Sequence, residues 1–199
     1  MTRTKKILFS VAALVVLLGS VIAWHLWPSF YPPQHIEVGA SVGETVPVDM
    51  PLHNSKGEVA SIASISGAKG TVLVMTRSAD WCPFCKVQLK EHSEIADTLA
   101  AKGYALASLS YDEPQLLDEF ASELERPFVM LSDKDSAFID AVGLRDPDYG
   151  VDHFAHGVPR PSVLVLDQEG TIKAKLVSDD YRQRPNNEFV LGMVEGIKD

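Results

Sequence analysis

The run Thr71-Val72-Leu73-Val74-Met75-Thr76, followed by Ser78-Ala79-Asp80-Trp81-Cys82-Pro83-Phe84-Cys85-Lys86, constrains this chain more than any other stretch. The first part is apolar and β-branched and reads as a buried strand. Beyond the cysteines, Val87, Gln88, Leu89, Ile95 and Leu99 fall at helical period, so the two thiols sit where a strand hands over to a helix. Proline in the first helical turn costs nothing, because the N–H it lacks would have no partner there. The helix start aims free N–H groups and the positive end of its dipole at Cys82. That environment favours thiolate over thiol and sets the Cys82 pKa below the free value of about 8.5. Cys85 lies one turn further on the same face, within reach of a disulfide.

Two cysteines at this spacing are also half of a zinc site. They are the only cysteines of the chain, and no H-x₃₋₅-H pattern follows at finger spacing, so a closed site would have to recruit His153 and His156. A purely structural disulfide is disfavoured, since so short a loop restricts the unfolded chain little. The strand, CxxC and helix together point to redox chemistry with no metal and no cofactor.

Ala-Asp-Trp-Cys-Pro-Phe-Cys-Lys is similar to the W-C-x-x-C-K signature of thioredoxin-like proteins. From about Val38 to Val177 the chain resembles their redoxin branch, the alkyl-hydroperoxide-reductase/thiol-specific-antioxidant type. The resemblance implies a thioredoxin-like α/β fold, a central mixed sheet flanked by helices. It implies Cys82 as the attacking thiol, at the more exposed end of the helix, and Cys85 as the resolving thiol against the core. Pro161 occupies the place of the family's cis-proline opposite the disulfide, which would leave the Arg160 backbone free to pair with a partner's extended chain. Trp81, Pro83 and Phe84 supply an apolar rim that suits a protein substrate. Departures from the subfamilies are equally specific. Peroxiredoxins carry Thr or Ser three residues before the reactive cysteine and Pro seven before, where this chain has Ala79 and Met75. Their peroxide-binding arginine is displaced to Arg160. The buried Asp of thioredoxin is Thr76 here, and the Glu of cytochrome-c-maturation thioredoxins is Gln88.

Residues Ile7 to Leu26 form an apolar run broken only by Ser10, Gly19, Ser20 and His25, and about 20 such residues span a bilayer. Arg3, Lys5 and Lys6 precede it and no Lys or Arg follows until Lys56. The positive-inside rule then expects a cytoplasmic amino terminus and an exported domain, in the periplasm or outside the cell, with Trp24 and Trp27 at the outer interface. A signal peptide cleaved after Val21-Ile22-Ala23 is the competing expectation. Beyond the anchor, 15 basic residues stand against 27 acidic ones, which disfavours nucleic acid as a partner.

The expected organisation is a signal anchor over 1–27, a Pro- and Gly-containing linker over 28–43 and the redoxin domain over 44–199. In order, we expect a hairpin of Thr45–Val48 with Glu58–Ala60 around Asn54-Ser55-Lys56-Gly57, then a single turn over Ser61–Gly67. The cysteine helix should run to Lys102, with Gly103 after it. A strand at Tyr104–Ser110, a helix over Glu113–Glu125, a strand at Phe128–Leu131 and a short helix at Asp135–Val142 continue an α/β alternation. A polar loop over Gly143–Pro159 holds His153 and His156 and has a length usual for functional loops. A hairpin of Ser162–Leu166 with Thr171–Val177 and a last helix capped by Asn187 complete the domain. The first functional expectation is a membrane-anchored, extracytoplasmic thiol–disulfide oxidoreductase acting on protein thiols or disulfides. The alternatives are a thiol peroxidase with Cys82 peroxidatic and Cys85 resolving, and a metal-binding or redox-inert binding module.

Overall fold

The computed structural model describes residues 3–26 and 31–197, with side chains in the first stretch from residue 10 to residue 24. Trp27, the beginning of the linker at Pro28 and the last two residues lie outside the described residues. Helix α1 (Arg3–Leu26) comes first. All its described side chains are exposed, including Val11, Leu14, Leu17, Leu18, Ile22 and Trp24. Among the described residues no helix is long and apolar enough to cross a membrane.

A seven-stranded mixed sheet organises the domain. Its strands are β1 (Leu52–Asn54), β2 (Val59–Ala60), β3 (Gly70–Met75), β4 (Tyr104–Ser110), β5 (Val129–Ser132), β6 (Ser162–Leu166) and β7 (Ile172–Val177), in the order β2-β1-β5-β4-β3-β6-β7. The β3, β4 and β5 ladders are parallel, and the outer pairings are antiparallel. Every residue of β3 is buried, as expected of a central strand covered on both faces. Alternation sends Val72 and Val74 to one face, where they meet Ile95, Leu99, Val190 and Val194. Leu73 and Met75 point to the other, with Leu109, Leu131, Phe138 and Ile139.

The helices are α2 (Ile62–Ile65), α3 (Pro83–Ser93), α4 (Ala96–Ala101), α5 (Pro114–Ser122), α6 (Ala137–Ala141) and α7 (Asn187–Glu195). The expected single cysteine helix is two. Glu94 and Ile95 donate to the carbonyls three residues back, Glu91 and His92, which tightens the last turn of α3. Ser93 Oγ also donates to the Lys90 carbonyl at 2.6 Å, and such back-bonding bends helices. The break lets Ile95 and Leu99 enter the core together. Gly103, at φ 91°, follows α4 in the left-handed conformation expected there.

Three other elements depart from the sequence expectations. The hairpin forms around Asn54–Gly57, with Gly57 at φ 78°, but its first arm is Leu52–Asn54. Thr45 instead bridges Thr171, and Val46 and Val48 are drawn into the core. The cap of α7 is Asn186, whose side chain accepts from Phe189 N at 2.9 Å, because Asn187 is used elsewhere. Finally, the described part of the linker is not a free spacer. His35 bridges Ser178, and Ile36 N and Ala40 N donate to the carbonyls of Val177 and Val142.

Candidate active site

The parallel strands β3 and β4 end at Met75 and Ser110, and the segments that leave them meet at one end of the sheet, where α/β folds place their sites. Cys82 is the N-cap of α3, with Pro83 in the first turn. Its sulfur accepts from Cys85 N at 3.3 Å, and the two cysteines form a disulfide with Cα atoms 5.2 Å apart. Helix start, proline and pairing agree with the sequence expectation. The contrast in exposure is slight: Cys82 is 2% and Cys85 0% exposed.

Asp112, just beyond β4, fixes the approach to Cys82. Its carboxylate accepts from Ser78 Oγ (2.8 Å), Ala79 N (2.7 Å) and Ser110 Oγ (2.8 Å). Ser78 Oγ in turn accepts from Asp80 N and Trp81 N, at 2.9 and 3.2 Å. A buried carboxylate thus ties down the turn that presents Trp81 and Cys82. Burial raises its pKa, and these hydrogen bonds pull against the rise.

An aromatic shell surrounds the disulfide. Trp81 Nε1 donates to Tyr111 Oη at 3.1 Å, and the Trp81 ring meets Phe154 edge-on at 5.3 Å between centroids. Phe84 meets Tyr181 at 5.9 Å. Trp81 and Phe84 are half-buried, Pro83 is exposed, and Phe154 is 73% exposed. The long loop contributes Tyr149, His153 and Phe154 to this shell, with His153 tilted between the other two rings. His153 Nδ1 accepts from Ala155 N, and His156 is held by the Tyr149 carbonyl and Arg145. Neither histidine is paired with the cysteines. Among the described residues no group of three or more His, Cys, Asp or Glu is placed to hold a metal.

Pro161 is buried immediately before β6, whose Ser162 pairs with Met75, so it lies at the cysteine end of the sheet. The expected cis bond is a correction: no peptide among the described residues is cis, and trans is the ground state of X–Pro bonds. The expected free Arg160 backbone is also corrected. Arg145 and Pro159 form an antiparallel bridge that folds the long loop back, and Arg160 N donates to the Leu144 carbonyl at 2.7 Å. The Arg160 guanidinium faces Asp146 at 4.0 Å.

Two arginines missing from the sequence reading dominate the electrostatics. Arg77, 4% exposed, lies over the rings of Trp81, Tyr149 and Tyr181 at 5.2, 4.8 and 4.5 Å, a cation–π cage. Arg184, from the segment between β7 and α7, places Nη2 3.4 Å from Cys85 Sγ and 4.0 Å from Cys82 Sγ. The residue as a whole is partly exposed, yet its Nε and Nη1 are out of solvent contact and have no hydrogen-bond partner. Burial, reinforced by the charge of Arg77, pushes its pKa down to about 9. The only local hint of Arg77 was a charged residue between a buried strand and the motif. Arg184 carries no local signal at all.

A mixed sheet with a CxxC disulfide capping a helix at its parallel end defines a thioredoxin-like thiol oxidoreductase. Residues 42–175 match the AhpC/TSA family, and the chain belongs to it. It is similar to the thioredoxin-like protein YneN of Bacillus subtilis, at 27% identity over 164 residues (80% of this chain, 84% of that protein). It is also similar to the thiol:disulfide interchange protein DsbE of Vibrio cholerae, at 28% over 178 residues (88% and 86%). Among solved structures, peroxidoxin BcpB from Mycobacterium tuberculosis shares the fold with a TM-score of 0.68 at 16% identity, covering 82% of this chain and 100% of that one.

Proposed function

We propose that this chain is a membrane-anchored, extracytoplasmic thiol–disulfide oxidoreductase that exchanges disulfides with protein partners through Cys82 and Cys85. The observation that carries the reading is the disulfide itself, closed across the first turn of α3 beneath a rim of Trp81, Phe84, Phe154 and Tyr181. Helix N–H groups favour a thiolate at Cys82, and a neighbouring thiol lets a mixed disulfide be resolved within the chain. Exposed aromatic edges suit an apolar polypeptide segment. DsbE, a thiol:disulfide interchange protein by name, supports the same chemistry.

The membrane anchor rests on the apolar run from Ile7 to Leu26, its basic flank, and the exposure of every described side chain of α1. A reporter fused after Asp199 is expected to be active outside the cytoplasm. Activity confined to the cytoplasm contradicts the topology, and a mature chain that starts at Trp24 replaces the anchor with a signal peptide.

A second reading, peroxide reduction, draws on the cationic Arg184 beside the sulfurs, with the charge of Arg77 close to it. Against it stand Ala79 and Met75, where peroxiredoxins place a hydroxyl and a proline. One Cys85→Ser variant separates the two. With a protein disulfide as substrate, Cys82 attacks, no thiol resolves the product, and a mixed disulfide with the partner accumulates. With a hydroperoxide, Cys82 becomes a sulfenic acid open to selective trapping. Partner capture with slow oxidation by peroxide is expected. Rapid peroxide turnover by the unaltered protein, with no mixed disulfide in the variant, reverses the order of the two readings.

A further inference from the structure

We propose that Arg184 is a catalytic residue that holds the second cysteine, Cys85, as a thiolate, so that this chain resolves mixed disulfides without a carboxylate base. The proposal deepens the thiol-exchange reading above and names the group that serves its resolving thiol.

The geometry begins with the asymmetry of the guanidinium. Its Nη2 is nearer to Cys85 Sγ (3.4 Å) than to Cys82 Sγ (4.0 Å), whereas the helix start serves Cys82. The position is held from two sides. Asn187 Nδ2 donates to the Glu91 carbonyl at 2.9 Å, and Asn187 Oδ1 accepts from His92 Nδ1 at 2.9 Å, which clamps the segment onto α3. Gln183 Oε1 and the Gln183 carbonyl are bonded to Gln34 N and Ser178 Oγ.

The second element is what the guanidinium lacks. An arginine has five N–H donors, and here Nε and Nη1 are buried without a partner. The nearby carboxylate, Asp180, is engaged by Arg182 at 2.7 Å. Thr76, at the place where a carboxylate base would stand, has its Oγ1 buried and unpartnered. The other charged or titratable groups around the pair are Arg77, like-charged and caged by rings, Tyr181 above it, and exposed Asp80 and half-buried Lys86 next to the motif. Asp112 is occupied with Ser78, Ala79 and Ser110. Facing a neutral disulfide, Arg184 has no hydrogen-bonded counter-ion, and Asp180 offsets its charge only from a distance. Reduction supplies its counter-ion, because breaking the disulfide generates a thiolate 3.4 Å away.

In one direction a partner thiolate attacks Cys82 Sγ, the disulfide breaks, and its electron pair departs on Cys85 Sγ, beside Arg184. The partner's second thiolate then attacks its own sulfur in the mixed disulfide and expels Cys82 as a thiolate. The partner dithiol is oxidised to a disulfide, the Cys82–Cys85 disulfide is reduced, and the two partner protons pass to solvent or to Cys82. In the other direction Cys85, already ionised, attacks Cys82 Sγ and releases the reduced partner. A leaving thiol of lower pKa departs faster, and an attacking thiol gains thiolate fraction as its pKa falls toward ambient pH, so Arg184 assists both directions at the same atom.

The test uses the full chain carrying Cys82→Ser, which isolates Cys85, with thiolate absorbance followed against pH. The Cys85 midpoint is expected below the free value of about 8.5. Adding Arg184→Met or Arg184→Gln is expected to raise it by roughly 1–3 units, the effect of one opposite charge at this range. Arg184→Lys is expected to retain most of the lowering. In the two-cysteine protein, Arg184→Met should shift the equilibrium with glutathione toward the disulfide by about tenfold per unit of midpoint shift, while the oxidised form stays at least as stable to heat. A role limited to packing would change the melt and leave the midpoint. The proposal is overturned by a Cys85 midpoint above about 8.5 in the Arg184-containing protein, a result that needs no arginine variant to fold. It is equally overturned by a midpoint that neither neutral variant moves. No partner enters the titration, so its outcome is independent of whether protein disulfides or peroxides are the substrate.

Discussion

Replacing Asp112 by alanine removes the acceptor on which the approach to Cys82 is hung, and the structure allows the loss to be sized. Ala79 is 1% exposed and its N–H has Asp112 Oδ2 at 2.7 Å, so truncation strands a buried donor at about 1–3 kcal/mol. Ser78 and Ser110 lose a charged acceptor but can rotate their hydroxyls, which adds about 1 kcal/mol each at most. Relief of a carboxylate that burial already disfavours offsets part of this. The net is a destabilisation of about 2–4 kcal/mol, or a melting decrease of roughly 5–15 °C for a domain of this size. Denaturant unfolding at constant slope measures the first number and a thermal scan the second. Ser78 Oγ also caps Asp80 N and Trp81 N, so the rate at which a small dithiol reduces the disulfide should change as well. Asp112→Asn keeps one acceptor for Ala79 N and should lose less. It should also remove a pH dependence whose sign is fixed. The folded pKa of Asp112 lies above the ordinary 3.8, so its contribution improves as pH falls through the window between them and is constant outside it. A loss below about 0.5 kcal/mol in the alanine variant, with an unchanged reduction rate, would falsify the view that this carboxylate scaffolds the motif.

Two further outcomes concern the contact between α3 and α7. His92 is buried and neutral, donating from Nδ1 to Asn187 and accepting at Nε2 from Gln88, and burial lowers its pKa from 6.5. The unfolded chain therefore takes the proton first, and stability should decline as pH drops below 6.5 until the folded pKa is reached. Unfolding of His92→Gln should lack that decline, and parallel curves for the two proteins would remove the assignment. Asn186→Ala should cost about 1 kcal/mol through loss of the α7 cap. In contrast, Asn187→Ala frees α7 and the Arg184 segment from α3, and should slow disulfide exchange more than it lowers stability. Equal effects of the two asparagines in both assays would contradict that division.

Local pattern determined most of the secondary structure. The wholly apolar β3, the strand Tyr104–Ser110, the Ser162–Val177 hairpin and the cysteine helix starting at Pro83 all stand where period and turn residues put them, because each is decided by neighbours within a few positions. The same holds for the thiol pair, since a helix start and a spacing of three bring Cys82 and Cys85 together without outside help. Tertiary structure decided what depended on distant chain. Thr45–Val48 has strand character, but the turn at Gly170 and the core beneath it took Val46 and Val48 for packing. The helix expected from Pro83 to Lys102 broke so that Ile95 could be buried. Asn187 gave up its capping role to bond α3, and Asn186 took it. The charges around the disulfide are the clearest case. Arg77, Asp112 and Arg184 come from three separate segments, and each looks like an ordinary solvated residue in sequence. Their convergence requires the sheet to bring those segments to one end and exclude water there, and Arg184 governs a thiol only because it lies within a few ångströms of it in a low dielectric.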